Sequence, residues 1–128
     1  MTRSLKSLDA QAVARLQKEG ALLVDVREPG EYAQAHIPGS QNIALSRLDV
    51  SELPLAPEQR VVFFCAGGTR TSNNASRLVA KAGRAEAYVM QGGISAWRSA
   101  GLPVESVQRD PAKDAQPGQS FFSRLLGR

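Results

Sequence analysis

At 128 residues and 13.7 kDa, the chain is long enough for one domain with a buried core of its own. Apolar residues make up 42% and charged residues 22% of it, which is the ordinary globular range and excludes a chain that is disordered or fibrous throughout. The net charge of +4 favours general attraction of small anions, because the arginines are scattered without interleaved aromatic residues. We therefore expect no nucleic-acid partner.

The cysteine and histidine counts bear on compartment and metal binding. The only cysteine, Cys65, cannot form an internal disulfide, and a lone thiol is at risk in an oxidising compartment, so we expect a cytoplasmic protein. Residues 1–20 contain no apolar signal core, and no run approaches the ~18 apolar residues of a membrane span. One cysteine and one histidine, His36, cannot make a zinc site, so we expect no metal and no cofactor.

The first half of the chain alternates helix and strand signals. Ser7 is predicted to cap a helix over residues 9–18, where apolar side chains recur at helical spacing. A short buried strand is predicted at 22–26, a short helix at 28–35, and a second extended piece at 41–44.

The second half continues this alternation. Residues 60–64 are apolar, β-branched and aromatic, and they predict the central strand. A helix capped by Thr71 or Ser72, a strand at 86–90 and a helix around Trp97 follow. Short apolar strands that alternate with helices predict an α/β domain whose parallel sheet is covered on both faces. In such sheets, sites lie beyond the carboxyl ends of the strands.

The composition changes near the end of the chain. We expect residues 4–107 to form the domain and residues 108–128 to be a polar linker followed by a short amphipathic tail. About two turns of helix are not stable alone, so a helical tail needs a docking surface. That surface is either the parent domain, a partner protein or a membrane.

A glycine-containing loop joins the predicted central strand to the next helix, and its residues are Cys65, Ala66, Gly67, Gly68, Thr69 and Arg70. The two glycines allow consecutive amides to turn inward around the sulfur as an anion-binding nest. The helix N-terminus and Arg70 add positive charge there. Such surroundings lower a thiol pKa from ~8.5 to between about 3.5 and 7.5, so we expect a thiolate at neutral pH. Taken alone, a cysteine after an apolar strand is usually an inert core residue, but a core role gives no reason for the glycines and arginine beside it.

This loop resembles the active-site pattern of the rhodanese family, Cys-x-x-Gly-x-Arg. Three other stretches agree with that family's motifs, and they are residues 25–28 with Glu31 and Tyr32, residues 36–40 with Asn42, and residues 91–97 with 100–104. The resemblance covers about residues 4–104. It implies a rhodanese-like α/β domain, with a central five-stranded parallel sheet flanked by helices, in which Cys65 carries sulfur as a persulfide.

The function that this resemblance implies is sulfur transfer. The Cys65 thiolate would take sulfane sulfur from a small anionic donor such as thiosulfate and pass it to cyanide, a thiol or a protein acceptor. The amides of residues 66–69 would stabilise the charged sulfur, and Arg70 would orient the donor. We expect structural roles for Asp25 and His36, with catalytic assistance by His36 or Arg27 left open.

Two alternatives use the same features. A cysteine-dependent phosphatase or arsenate reductase would use a similar loop, and a protein-binding module in a sulfur relay would keep the fold. Cysteine phosphatases have a Cys-x₅-Arg loop, whereas four residues separate Cys65 from Arg70. This shorter loop has room for the binding of one sulfur atom, whereas it would crowd a phosphoryl group with three equatorial oxygens.

Overall fold

A five-stranded, all-parallel sheet forms the centre of the protein, for which the computed structural model describes residues 5–107. The strands lie in the order β1-β5-β4-β2-β3, and their ranges are β1 (Lys6–Leu8), β2 (Leu22–Asp25), β3 (Gln41–Asn42), β4 (Val61–Phe64) and β5 (Ala87–Met90). The predicted α/β class and parallel sheet are therefore confirmed, with β4 in the central position.

Helices cover both faces of the sheet. Their ranges are α1 (Ala10–Lys18), α2 (Pro29–Gln34), α3 (Thr69–Asn73), α4 (Ala75–Ala82) and α5 (Gly93–Ser99), with a 3₁₀ helix at Leu45–Val50. Val13 of α1 and Trp97 of α5 belong to one buried cluster, whereas Leu78 of α4 and Leu48 of the 3₁₀ helix belong to a second. The sheet thus separates two apolar layers, as expected when both faces of a parallel sheet are buried.

The side chains of β4 contribute to both apolar layers. Its residues are fully buried, and successive side chains point to opposite faces of the sheet. Val62 and Phe64 join the α1–α5 cluster, whereas Val61 and Phe63 join the α4 cluster. Full burial of such side chains stabilises the fold by about 1.5–3 kcal/mol each. Cys65 continues the second series and lies in the α4 cluster.

The start of the chain differs from the sequence prediction. Ser7 does not cap α1, because it lies in β1, where it pairs with Val89 of β5. The cap is Asp9, whose carboxylate accepts a hydrogen bond from the amide of Ala12 at 2.8 Å. β1 was not predicted from its own residues, since this edge strand is largely exposed and has no apolar run.

The predicted helix after the cysteine loop is two helices. Neither Thr71 nor Ser72 is its cap, because α3 begins after Gly68, which adopts a left-handed conformation. Asn74 interrupts the path between α3 and α4 with a non-helical backbone, and its side-chain amide donates to the carbonyl of Arg70 at 2.8 Å. Such local side-chain bonds compete with helical hydrogen bonds.

The boundaries of the domain are inferred from the sequence alone. A domain over residues 4–107 stays a prediction, and the tail at 108–128 lies outside the described residues. Within residues 5–107, no helix is long and apolar enough to cross a membrane.

Candidate active site

Cys65 follows the last residue of β4, at the carboxyl edge of the sheet where the sequence places it. The residue is only 1% exposed, so its side chain lies beneath the loop that follows. The amide of Gly68 donates to Sγ at 3.1 Å, and the hydroxyl of Thr71 lies 3.9 Å from the same sulfur. The sulfur is therefore a buried acceptor held by the turn that opens α3.

These contacts determine the acidity of the thiol. Burial by itself raises the pKa of Cys65, because it penalises the charged form. Hydrogen bonds from the backbone amides of Thr71 and Gly68, together with the Thr71 hydroxyl, outweigh burial and bring the pKa of Cys65 below its ordinary value. The direction agrees with the sequence prediction. Thr71, which the sequence suggested only as a helix cap, is a principal cause.

The two loop glycines have different roles. Gly68 has a φ of 105°, which favours glycine, and this conformation aims its amide at the sulfur. Gly67 does not have a positive φ and has open space where a Cβ would be, so of the two loop glycines only Gly68 adopts the left-handed conformation. Of the other loop positions, Ala66 is half-buried and Thr69 is exposed as the first residue of α3.

The first residues of α5 form hydrogen bonds to the backbone of the cysteine loop. The amide of Ile94 donates to the Cys65 carbonyl at 2.9 Å, and the amide of Ser95 donates to the Ala66 carbonyl at 3.0 Å. With both carbonyls bound on that side, the loop backbone is fixed. Gly93 makes this approach possible, since a Cβ there would lie 2.3 Å from the Cys65 carbonyl oxygen. In the sequence, Gly93 is only one residue of the motif at 91–97, and this contact is not indicated.

Arg70 has a partner that the sequence did not indicate. Its Nη1 donates to Oε1 of Glu31 at 2.8 Å, and its Nη2 donates to Oε2 at 3.0 Å. The Arg70 hydrogen bonds lower the pKa of Glu31 to about 2, against the opposing effect of partial burial. The same pairing raises the pKa of Arg70, to which the nearby charge of Cys65 also contributes. The positive charge predicted beside the sulfur is thus shared with a carboxylate.

The remaining motif residues hold the edge of the sheet together. Asp25 and Arg27 form a buried ion pair with 2.8 Å between Oδ2 and Nη2. The side-chain amide of Asn42 donates to the carbonyls of both residues, at 3.0 and 2.9 Å. Nδ1 of His36 lies 3.0 Å from the Tyr32 carbonyl oxygen, so this buried histidine fastens the end of α2. These hydrogen bonds give the buried polar side chains their partners. Their presence is therefore explained without assigning them a catalytic role.

A cavity of about 410 Å³ lies against the outer side of the loop, and Gly67, Gly68 and Thr69 are among its lining residues. It adjoins a larger cavity of about 700 Å³ that extends along α4. Among residues 5–107, no group of three or more His, Cys, Asp or Glu side chains is placed to hold a metal ion.

The fold and this loop define an α/β domain with a buried, acidified cysteine at the carboxyl edge of a parallel sheet. The family model described as the rhodanese-like domain matches residues 9–100, and the chain belongs to that family.

Two curated relatives illustrate the similarity. An uncharacterised protein of Synechocystis is 38% identical over 110 residues, which are 86% of this chain and 61% of that protein's length. The thiosulfate sulfurtransferase GlpE of Pseudoalteromonas translucida is 36% identical over 93 residues, which are 71% of this chain and 86% of that enzyme. The chain therefore resembles a protein named as a sulfurtransferase over nearly that protein's whole length.

Two solved structures have the same fold but are described in different terms. A rhodanese-related protein of Thermoplasma volcanium superposes with a TM-score of 0.67 at 27% identity, over 80% of this chain and 99% of that one. A Rhodopseudomonas palustris protein of unknown function, described as a possible tyrosine phosphatase, superposes with a TM-score of 0.64 at 31% identity, over 79% of this chain and 85% of that one.

Proposed function

We propose that the protein is a sulfurtransferase that moves sulfane sulfur from a small anionic donor such as thiosulfate to a thiophilic acceptor through a persulfide on Cys65. The observation that carries the proposal is the amide of Gly68 at 3.1 Å from Sγ, in a loop that lowers the pKa of the thiol. A thiolate is the nucleophilic form of cysteine. Similarity to a named thiosulfate sulfurtransferase supports the same assignment.

The reaction has two steps. The Cys65 thiolate attacks the outer sulfur of thiosulfate, the S–S bond of the donor breaks, and sulfite leaves with the bonding electron pair. Cys65 then carries a persulfide with one negative charge. An acceptor such as cyanide, a low-molecular-weight thiol or a protein thiol attacks the terminal sulfur, and the Cys65 thiolate leaves. Because the enzyme form changes between the two substrates, the kinetics are ping-pong.

The loop stabilises charge in both steps. We expect the amides of residues 66–69 to stabilise the thiolate and then the persulfide, as preorganised donors do for a developing anion, together with the amides of Arg70 and Thr71, which bond to the sulfur. The bond from Gly68 is the direct example in the structure. Arg70 is proposed to orient the incoming donor, although its charge is shared with Glu31. The lowered pKa of Cys65 raises the fraction of thiolate, which reduces the need for a general base.

The phosphatase alternative has one supporting observation, the similarity to the Rhodopseudomonas palustris protein described as a possible tyrosine phosphatase. Only four residues lie between Cys65 and Arg70, and both terminal nitrogens of Arg70 are bound to Glu31. A phosphoryl group needs such donors for its three equatorial oxygens. These features favour sulfur transfer, and we expect no significant Cys65-dependent hydrolysis of an aryl phosphate.

The partners of the proposed enzyme are a small sulfur oxyanion and a thiol or protein acceptor in the cytoplasm. Its reactive cysteine belongs in a reducing compartment, where a lone thiol is protected from oxidation. Within the C-terminal segment at 108–128, the short amphipathic end is proposed to dock a partner, on the basis of its apolar and basic sequence.

Steady-state transfer from thiosulfate to cyanide tests this proposal. The parent protein should give parallel double-reciprocal lines, and Cys65→Ser should be inactive while keeping the parent's melting temperature, because a hydroxyl is not ionised at neutral pH. An aryl phosphate is assayed beside it. Transfer by Cys65→Ser at the parental rate would refute the proposal, and Cys65-dependent phosphatase turnover without sulfur transfer would replace it with the alternative.

A further inference from the structure

The carboxylate of Glu31 accepts hydrogen bonds from both terminal nitrogens of Arg70, the residue proposed to orient the sulfur donor. The two hydrogen bonds are parallel and short, at 2.8 and 3.0 Å, which is the bidentate geometry of a strong arginine–carboxylate pair. Both side chains are partly exposed, at 38% for Arg70 and 40% for Glu31. The pair is therefore accessible from solvent.

The position of Glu31 is fixed by α2. Glu31 is the third residue of that helix, and its Oε1 accepts a hydrogen bond from the amide of Glu28 at 3.0 Å in a capping box. Because its carboxylate serves both the helix cap and Arg70, it cannot leave without loss of two sets of contacts. The pairing is thus a built part of the site and not a chance surface contact.

The charges near the sulfur then have a definite balance. Asp25 and Arg27 neutralise each other in their buried pair, and Glu31 neutralises Arg70. With Cys65 ionised, an approaching donor meets a net negative charge, whereas an unpaired Arg70 would leave the site neutral. Coulomb repulsion grows with the charge of the donor, so a dianion is penalised more than a monoanion.

We propose that Glu31 is a specificity-determining residue, which selects sulfur donors of single negative charge, such as organic thiosulfonates and persulfides, over the dianion thiosulfate. The inference rests on the proposed sulfur transfer and names its donor class. The step is unchanged in kind: the Cys65 thiolate attacks the outer sulfur of a thiosulfonate, the S–S bond breaks, and a sulfinate leaves with the electron pair. Charge is conserved, since two monoanions give a persulfide and a sulfinate.

Thiosulfate and benzenethiosulfonate are a matched pair of probes, because both present an outer sulfur on a sulfonyl group and they differ by one charge. The measurement is kcat/KM for each donor with cyanide as acceptor. In Glu31→Gln, the ratio of thiosulfate to benzenethiosulfonate should rise about fivefold through a lower KM for thiosulfate, and high salt should reduce the gain. Glutamine keeps one acceptor oxygen, which can bind the Glu28 amide and Nη1 of Arg70 as Oε1 of Glu31 does, while the bond to Nη2 is lost.

Two further variants separate charge from structure. Glu28→Gln removes a carboxylate from the N-cap of the same helix, where the side chain contacts Ser46 and the Glu31 amide but not Arg70, and glutamine keeps an acceptor for both, so the donor ratio should stay at the parental value. Glu31→Asp keeps the charge and should also keep the low ratio.

The outcomes are distinct. An unchanged donor ratio in Glu31→Gln, or an equal fall for both donors, would overturn the specificity role and leave Glu31 as a support for Arg70. If the parent protein transferred sulfur from neither donor, the proposed function itself would fail. Transfer by the parent with a ratio that responds to Glu31→Gln but not to Glu28→Gln supports the inference.

Discussion

Replacement of Gly93 by alanine tests whether α5 holds the cysteine loop in place. Gly93 has a φ of 59°, and an added Cβ would lie 2.3 Å from the Cys65 carbonyl oxygen and 2.6 Å from that of Ala66. Real Cβ atoms do not approach so closely, and both neighbours are backbone atoms. The loop or the helix must therefore move by about an ångström, since ordinary non-bonded contacts lie at about 3.5 Å.

The cost of that movement follows from the contacts. The hydrogen bonds to the Cys65 and Ala66 carbonyls would break or lengthen, at about 0.5–1.5 kcal/mol each. Alanine with positive φ adds about 1–2 kcal/mol of backbone strain. The expected loss is about 2–5 kcal/mol in the free energy of unfolding, a large part of the 5–15 kcal/mol typical of a domain.

Gly101→Ala is the matched control. Gly101 also has a positive φ, of 79°, but no heavy atom lies within 4 Å of the position of its Cβ. Urea denaturation should show a loss of only about 1–2 kcal/mol for this variant. The folded Gly93→Ala protein should also have at least about tenfold lower kcat/KM, because displaced amides no longer surround the sulfur. Equal destabilisation and equal activity of the two variants would refute the support role of α5.

Three further predictions concern acidity and the chain end. Thr71→Val removes a hydroxyl that lowers the pKa of Cys65, so the rising limb of kcat/KM against pH should move to higher pH, and an unmoved limb would exclude this role. Glu31 has a pKa of about 2 in the fold against an ordinary 4.5, so the stability it contributes is present above pH 4.5 and is lost as the pH falls to about 2. The difference in unfolding free energy between the parent protein and Glu31→Gln should therefore shrink over that interval in acid titrations, and a constant difference would contradict the pairing. Deletion of residues 116–128 should leave transfer from thiosulfate to cyanide unchanged, whereas an inactive truncated protein would make the tail part of the domain.

Much of the sheet could be predicted from local sequence because the strands differ in burial. β4 is fully buried and apolar, so its pattern is clear, and its central position was predicted correctly. β1 is an exposed edge strand whose Ser7 has the chemistry of a helix cap, and no local pattern distinguishes the two roles. Asn74 divides a helix through a bond to the Arg70 carbonyl, which residue spacing does not reveal.

The site could be predicted in part for a similar reason. Cys65, Gly68 and Arg70 lie within six consecutive residues, and their chemistry is visible in that stretch. Glu31 is 39 positions from Arg70, and the fold brings them together because loops after neighbouring parallel strands meet at one edge of the sheet. The contact of Gly93 with the Cys65 carbonyl arises in the same way. Pairings between loops depend on strand order, which periodicity does not contain.

Intact-protein mass spectrometry tests the central claim most directly. The parent protein and Cys65→Ser are incubated with thiosulfate or benzenethiosulfonate and separated from the donor. The mass of each protein is then measured before and after addition of cyanide. We expect that the parent gains the mass of one sulfur atom, that cyanide removes it as thiocyanate, and that Cys65→Ser gains nothing. Absence of a sulfur-loaded parent with either donor, or an equal gain by Cys65→Ser, would contradict a persulfide on Cys65.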